Sequence, residues 1–124
     1  MHLPPSLRTA LENYLEGLNH SGMAEAAEAV SARYRRLGPA QDLRIRTPEE
    51  AAAYLAVRFP ATWAAIYTVL QKLPADFAPA HMLDVGAGPA TATLAARILY
   101  PDITSALVEP NAPLRAAGFA LYPG

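Results

Sequence analysis

The chain contains no cysteine, so none of its 124 residues can supply a disulfide, a thiolate nucleophile or a cysteine-ligated metal or iron–sulfur centre. Lysine is nearly absent as well: Lys72 is the only one, and arginine supplies the rest of the ten basic residues. That bias reads as the mark of a GC-rich genome and not of a function. Charge of one sign is missing too, because a formal net charge of -1 gives no global argument for nucleic-acid or membrane binding. No apolar run approaches the roughly 20 residues needed to cross a bilayer. His2, His20 and His81 show no metal-ligand spacing, so no metal is expected. Ser6, Ser21, Ser31 and Ser105 sit in no nucleophile motif. The opening segment Met1-His2-Leu3-Pro4-Pro5-Ser6 lacks the basic-then-apolar order of a secretory signal, and Glu12 and Glu16 argue against a mitochondrial presequence. A cytoplasmic protein is the expectation.

What is present is enough apolar material to fold. Hydrophobic residues make up 52% of the chain and charged residues 17%, outside the range of disordered sequences. The first half reads as helices. Leu3, Leu7, Leu11, Leu15 and Leu18 recur at helical spacing, and Asn19-His20-Ser21-Gly22 breaks the pattern. A second helix is expected from about Met23 to Leu37, with Met23, Ala27, Val30, Tyr34 and Leu37 on its apolar side and Gly38-Pro39 ending it. Residues 39–46 read as a loop. Thr47-Pro48-Glu49-Glu50 is a strong helix start, with Thr47 as cap and Glu50 placed to close a capping box. Phe59-Pro60 predicts a boundary or a kink, and a fourth helix follows with Trp63, Ile66, Tyr67, Leu70 and Leu73 on one side. Four short helices with facing apolar stripes make a small bundle over residues 1–75.

The pattern changes after Leu73. His81-Met82-Leu83-Asp84-Val85 is short, apolar and bounded by turns, as a buried strand is. Gly86-Ala87-Gly88 is a tight turn, a helix is expected from Pro89 to about Tyr100, and Ile103 to Val108 is a second strand ending at Glu109. A last helix spans Ala112 to about Leu121. Strand, glycine turn, helix and strand in that order form a βαβ unit, and its strands should be parallel. The fold class is therefore α/β: a helical N-terminal bundle, then the first βαβ unit of a Rossmann-like domain over residues 76–124.

A glycine turn between a strand and a helix lets a ligand approach the backbone and meet the helix N-terminal amides. An acid ending the next strand, here Glu109, stands where such folds bind ribose hydroxyls. Two ligand families use this arrangement. Dinucleotide folds read G-x-G-x-x-G/A, and Thr91 is a poor third position for that pattern. Folds for S-adenosylmethionine read acid-x-G-x-G, which Asp84-Val85-Gly86-Ala87-Gly88 satisfies, and an acid near the turn suits a cofactor with a cationic sulfonium and ammonium. The methyltransferase form is the better match. The dinucleotide form stays open, as does a plain structural turn in which Asp84 only caps neighbouring amides. The candidate cofactor-binding residues are Asp84, Gly86, Ala87, Gly88 and Glu109; no catalytic residue is legible.

The run Asp84-Val85-Gly86-Ala87-Gly88-Pro89-Ala90-Thr91 resembles the methyltransferase-like family of the small ribosomal subunit, whose members include a mitochondrial small-subunit protein and bacterial relatives described as ribosomal RNA methyltransferase-like. The segments Leu3-Pro4-Pro5-Ser6-Leu7, Ser31-Ala32-Arg33-Tyr34-Arg35 and Arg58-Phe59-Pro60-Ala61-Thr62-Trp63-Ala64-Ala65 resemble its helical N-terminal region. The resemblance implies a class I methyltransferase sheet, S-adenosylmethionine as cofactor, and a place on the small subunit or its rRNA in translation. Under it, Asp84, Gly86 and Gly88 line the cofactor turn and Glu109 meets the ribose. Two departures stand out: Ala90 replaces a usual glycine, and Pro110 follows Glu109. Family members also continue through the rest of the sheet, the substrate-facing residues and a cysteine-rich metal site, so a truncated form is expected here, its two-stranded sheet open to pairing with a second chain.

The remaining candidates are weaker. Arg33, Arg35, Arg36, Arg44 and Arg46 cluster with only Asp42 opposing them. A solvated arginine face is the simpler reading, and contact with RNA phosphates is the one a ribosomal setting favours. Tyr54, Trp63 and Tyr67 could frame a pocket above the turn, although aromatics at helical spacing are more often core.

Overall fold

A computed structural model describes residues 2–18, 20–37 and 45–122, without the side chains of 20, 21, 23 and 33–37. Three helices come first: α1 (Pro5–Glu16), α2 (His20–Leu37) and α3 (Pro48–Leu70). Then follow β1 (His81–Val85), α4 (Thr91–Leu99), β2 (Thr104–Val108) and α5 (Ala112–Leu121). The chain is thus α/β, and its two strands pair in parallel from His81 opposite Thr104 to Val85 opposite Val108. The expected loop at 39–46 lies largely outside the described residues, as do the side chains of Met23, Tyr34 and Leu37 on the expected apolar side of α2.

Three expectations need correction. Phe59-Pro60 neither ends the helix nor divides it into two elements, for α3 runs unbroken through Pro60. A proline inside a helix removes one backbone hydrogen bond and costs about 3 kcal/mol. Leu55, Phe59 and Trp63 follow one another at four-residue spacing, and all three are buried. Burying these large side chains on one stripe holds both sides of the proline in one register. Ala56, whose carbonyl loses its partner, is solvent-exposed and can be hydrated. The second correction concerns Gly22, which lies within α2 and not in a break before it. Third, Pro89 belongs to the glycine turn, and α4 begins only at Thr91.

One core joins the helices to the βαβ unit. Leu7 and Leu11 of α1, Leu55, Phe59 and Trp63 of α3, Leu94 and Ala95 of α4, and Ala117 and Leu121 of α5 form a single buried cluster. Tyr67 stacks on Trp63 at 4.8 Å between ring centroids, so these two aromatics belong to the core and do not frame a ligand pocket. Tyr14, packed against the same cluster, has its hydroxyl pKa raised by burial and by the charge of Glu49.

Among the described residues, helices cover only one side of the sheet. Leu83, Val85 and Val108 share the opposite face, and Val85 is 71% exposed, so β1 forms where expected but is not the buried strand that its apolar run predicts. Among the described residues each strand has one partner, so both outer edges are open. No helix is long and apolar enough to cross a membrane among the described residues.

The proline in α3 can be tested directly. Pro60→Ala restores the lost helix hydrogen bond and should raise the unfolding free energy by roughly 1–3 kcal/mol in urea titration. A loss of stability would show that Pro60 is required by its packing.

Candidate glycine-turn site

The turn from β1 to α4 has an alternating backbone. Gly86 (φ 70°), Gly88 (φ 57°) and Ala90 (φ 66°) are left-handed. Glycine adopts this region without penalty, whereas an L-residue pays about 1–2 kcal/mol. Ala90 is the only non-glycine with positive φ among the described residues, and its methyl is buried in the shared core. The left-handed positions fall at every second residue, 86, 88 and 90. Thr91, the third position of a dinucleotide pattern, is already the first residue of α4. The turn is pinned by the Gly86 and Ala87 amides, which donate to the Val108 carbonyl at 2.8 and 3.0 Å.

Of the two predicted acids, Glu109 bonds to the turn, and Asp84 bonds to α4 beside it. Asp84 lies on the helix-covered side of β1, where the hydroxyl of the fully buried Thr93 donates to its Oδ2 at 2.7 Å. Among the described residues no other side-chain bond engages Asp84. Glu109 follows β2, and its Oε1 accepts from the Gly88 amide at 2.6 Å. Its Oε2 accepts from the Asn111 amide at 2.8 Å, and the Arg115 guanidinium donates to its backbone carbonyl at 2.8 Å. Ala87 is buried, and Gly88 is half-buried. The structure therefore brings Asp84, Gly86, Ala87, Gly88 and Glu109 together around one turn. Pro110 is exposed beside them.

Three contributors were not legible as site residues. Thr93 orients Asp84 from the first turn of α4, and only the strand–helix register reveals that the two face each other. Asn111 caps α5 by accepting from the Leu114 amide at 3.1 Å, and its side-chain NH2 donates to the Ile45 carbonyl at 2.8 Å. An Asn before Ala112-Pro113 is a recognisable cap signal. Gly118 lets α5 approach the turn: a Cβ there would lie 3.1 Å from the Pro89 carbonyl carbon. A glycine in mid-helix was the available sign of that close approach.

Beside the turn lies a cleft of about 270 Å³. Gly88 and Glu109 line one part of it, and Leu107, Phe119 and Tyr122 give it apolar walls. The Arg97 guanidinium stacks over the Tyr122 ring at 4.6 Å and donates to its hydroxyl. Of the predicted arginine cluster, Arg33, Arg35, Arg36 and Arg44 have side chains outside the described residues. Arg46 is exposed, and its amide donates to Glu50 at 2.8 Å. Among the described residues no group of His, Asp and Glu is arranged to hold a metal.

A family model described as mitochondrial small ribosomal subunit Rsm22 matches residues 48–120. The chain belongs to that family. The match opens on the first residue of α3, crosses the glycine turn and ends in α5. The Rsm22 family segment thus takes in the buried stripe of α3 as well as the βαβ unit packed on it. The N-terminal segments at 3–7 and 31–35 lie outside the matched range. No curated protein and no solved structure matches the chain significantly.

The backbone geometry predicts a specific cost. A Cβ at Gly86 meets nothing within 4 Å, so Gly86→Ala introduces conformational strain without a clash. It should lower the unfolding free energy by about 1–2 kcal/mol in urea titration. A neutral substitution would mean that the turn relaxes out of the left-handed region.

Proposed function

We propose that this chain is a small-ribosomal-subunit protein that binds S-adenosylmethionine at the turn formed by residues 86–90. The observation that carries the reading is the left-handed backbone at 86, 88 and 90, with the carboxylate of Asp84 in β1 and that of Glu109 just after β2 beside it. That period is the acid-x-G-x-G-x-G/A form, with Ala90 in the last position. The dinucleotide form fits less well, because the buried Thr91 stands where its third position takes a glycine or alanine for close helix–strand packing.

The residues suit this cofactor chemically. Thr93 holds one oxygen of Asp84, leaving the other available to the cofactor's ammonium group, directly or through water. Glu109 is an acceptor for ribose hydroxyls, and the neighbouring cleft offers apolar walls for a base. When bound, the cofactor supplies an electrophilic methyl group on a sulfonium sulfur. No residue of this chain is assigned to the positioning of a methyl acceptor. Membership of a small-subunit family supports a place on that particle. The partner proposed there is rRNA, with the arginines at 33, 35, 36, 44 and 46, which lie outside the matched segment, as phosphate contacts.

A second reading has its own observation. Both oxygens of Glu109 bind backbone amides, as they would if the acid only clasped the turn. The chain would then be a non-catalytic small-subunit binding module with a vestigial cofactor motif. Calorimetric titration with S-adenosylhomocysteine separates the two. The cofactor reading predicts saturable binding that weakens about tenfold or more in Asp84→Ala, the loss of one charge-assisted contact. A folded chain that binds no S-adenosylhomocysteine while still co-sedimenting with small subunits would establish the binding module.

A further inference from the structure

We infer that the hollow where α1, α4 and α5 meet is a second ligand site, suited to a small monocarboxylate with an apolar body the size of a benzene ring. It is separate from the glycine turn and does not depend on a cofactor there. The hollow has a volume of about 170 Å³. An engineered apolar cavity of roughly 150 Å³ holds one benzene. Leu7 of α1, Leu94 of α4 and Leu121 of α5 line it, and all three are buried, so its floor is the aliphatic surface of the core. Ile98 and Pro101 are exposed and form its rim.

The polar part of the lining decides the class of ligand. It comes from Ser6 and Arg97. Arg97 is held in place, because its guanidinium stacks over the Tyr122 ring at 4.6 Å and donates to the Tyr122 hydroxyl. A guanidinium carries five N–H donors, so this one contact leaves most of them available. Among the described residues no carboxylate pairs with Arg97, and the first turn of α1, which supplies Ser6 and Leu7, carries no acid. The hollow therefore joins an apolar floor to one cation that no anion of the chain neutralises.

A planar carboxylate matches a guanidinium edge with two parallel hydrogen bonds. A phosphate dianion fits less well, because one guanidinium balances one charge and the second would lie beside leucine without a partner. A neutral ligand of the same shape forgoes the charge-assisted bonds. The walls also come from both halves of the molecule, α1 on one side and α4 and α5 on the other. A ligand held between them binds only the folded state and stabilises it.

The test titrates benzoate, and its neutral counterpart benzyl alcohol, into the whole chain followed by methyl NMR. Benzoate should shift the methyls of Leu7, Leu94, Ile98 and Leu121 with a dissociation constant of about 1 mM or tighter, and benzyl alcohol should bind at least about tenfold more weakly. Arg97→Gln should lose about tenfold or more for benzoate and leave benzyl alcohol unchanged. If Arg97→Gln does not fold, Ile98→Glu decides: residue 98 is 44% exposed, so the fold accommodates the change, and a carboxylate on the rim should abolish benzoate binding. Absence of saturable shifts at these methyls would overturn the inference. Equal affinity for benzyl alcohol, or a folded variant that binds benzoate as the wild type does, would overturn it too. Shifts confined to Leu107 would place benzoate in the cleft beside the glycine turn and refute a separate site.

Discussion

The structure depends on the contact between the buried stripe of α3 and the helices of the βαβ unit. Leu55, Phe59 and Trp63 pack in one cluster with Leu94 and Ala95 of α4 and Ala117 and Leu121 of α5. A two-stranded parallel sheet is a poor independent unit, because parallel sheets need their faces covered. Among the described residues one face is open, so the fixed position of the turn comes from the helical side. Ala90 lies in the core, and Gly118 brings α5 against the Pro89 backbone. Strain at Ala90 is sustained because the same residue buries its methyl where the helices meet.

The dependence also explains the path of α3. A proline should end a helix, and local propensity alone would split this one at residue 60. The buried residues on either side of Pro60 face the same core, and their combined burial outweighs one lost hydrogen bond. That the Rsm22 family match begins at Pro48 is consistent with α3 and the βαβ unit working as a physical whole.

Much of this was legible from residue order. The turn-bounded apolar run at 81–85, the helix from Ala112 and the cap at Thr47 depend on local chemistry, and each forms where local chemistry puts it. Asp84 and Glu109 stand beside the glycine turn because a parallel βαβ unit brings the ends of its strands together. The rest needed three dimensions. Nothing local shows that Thr93 holds Asp84, that Glu109 grips Gly88, or that Pro60 continues a helix. Each depends on which surfaces pack. The start of α4 was misplaced because Pro89 suits a first helical turn equally well as a bend, and only the left-handed Ala90 after it decides between them.

Urea unfolding followed by two probes tests this account most directly. Trp63 is the only tryptophan, and its fluorescence reports the core at α3. Amide resonances of β1 and β2 report the βαβ unit. The two should lose structure in a single coincident transition, as one cooperative unit does. Strand amides that melt at lower urea than Trp63 would contradict the account, because the glycine turn would then not be held by the helical core.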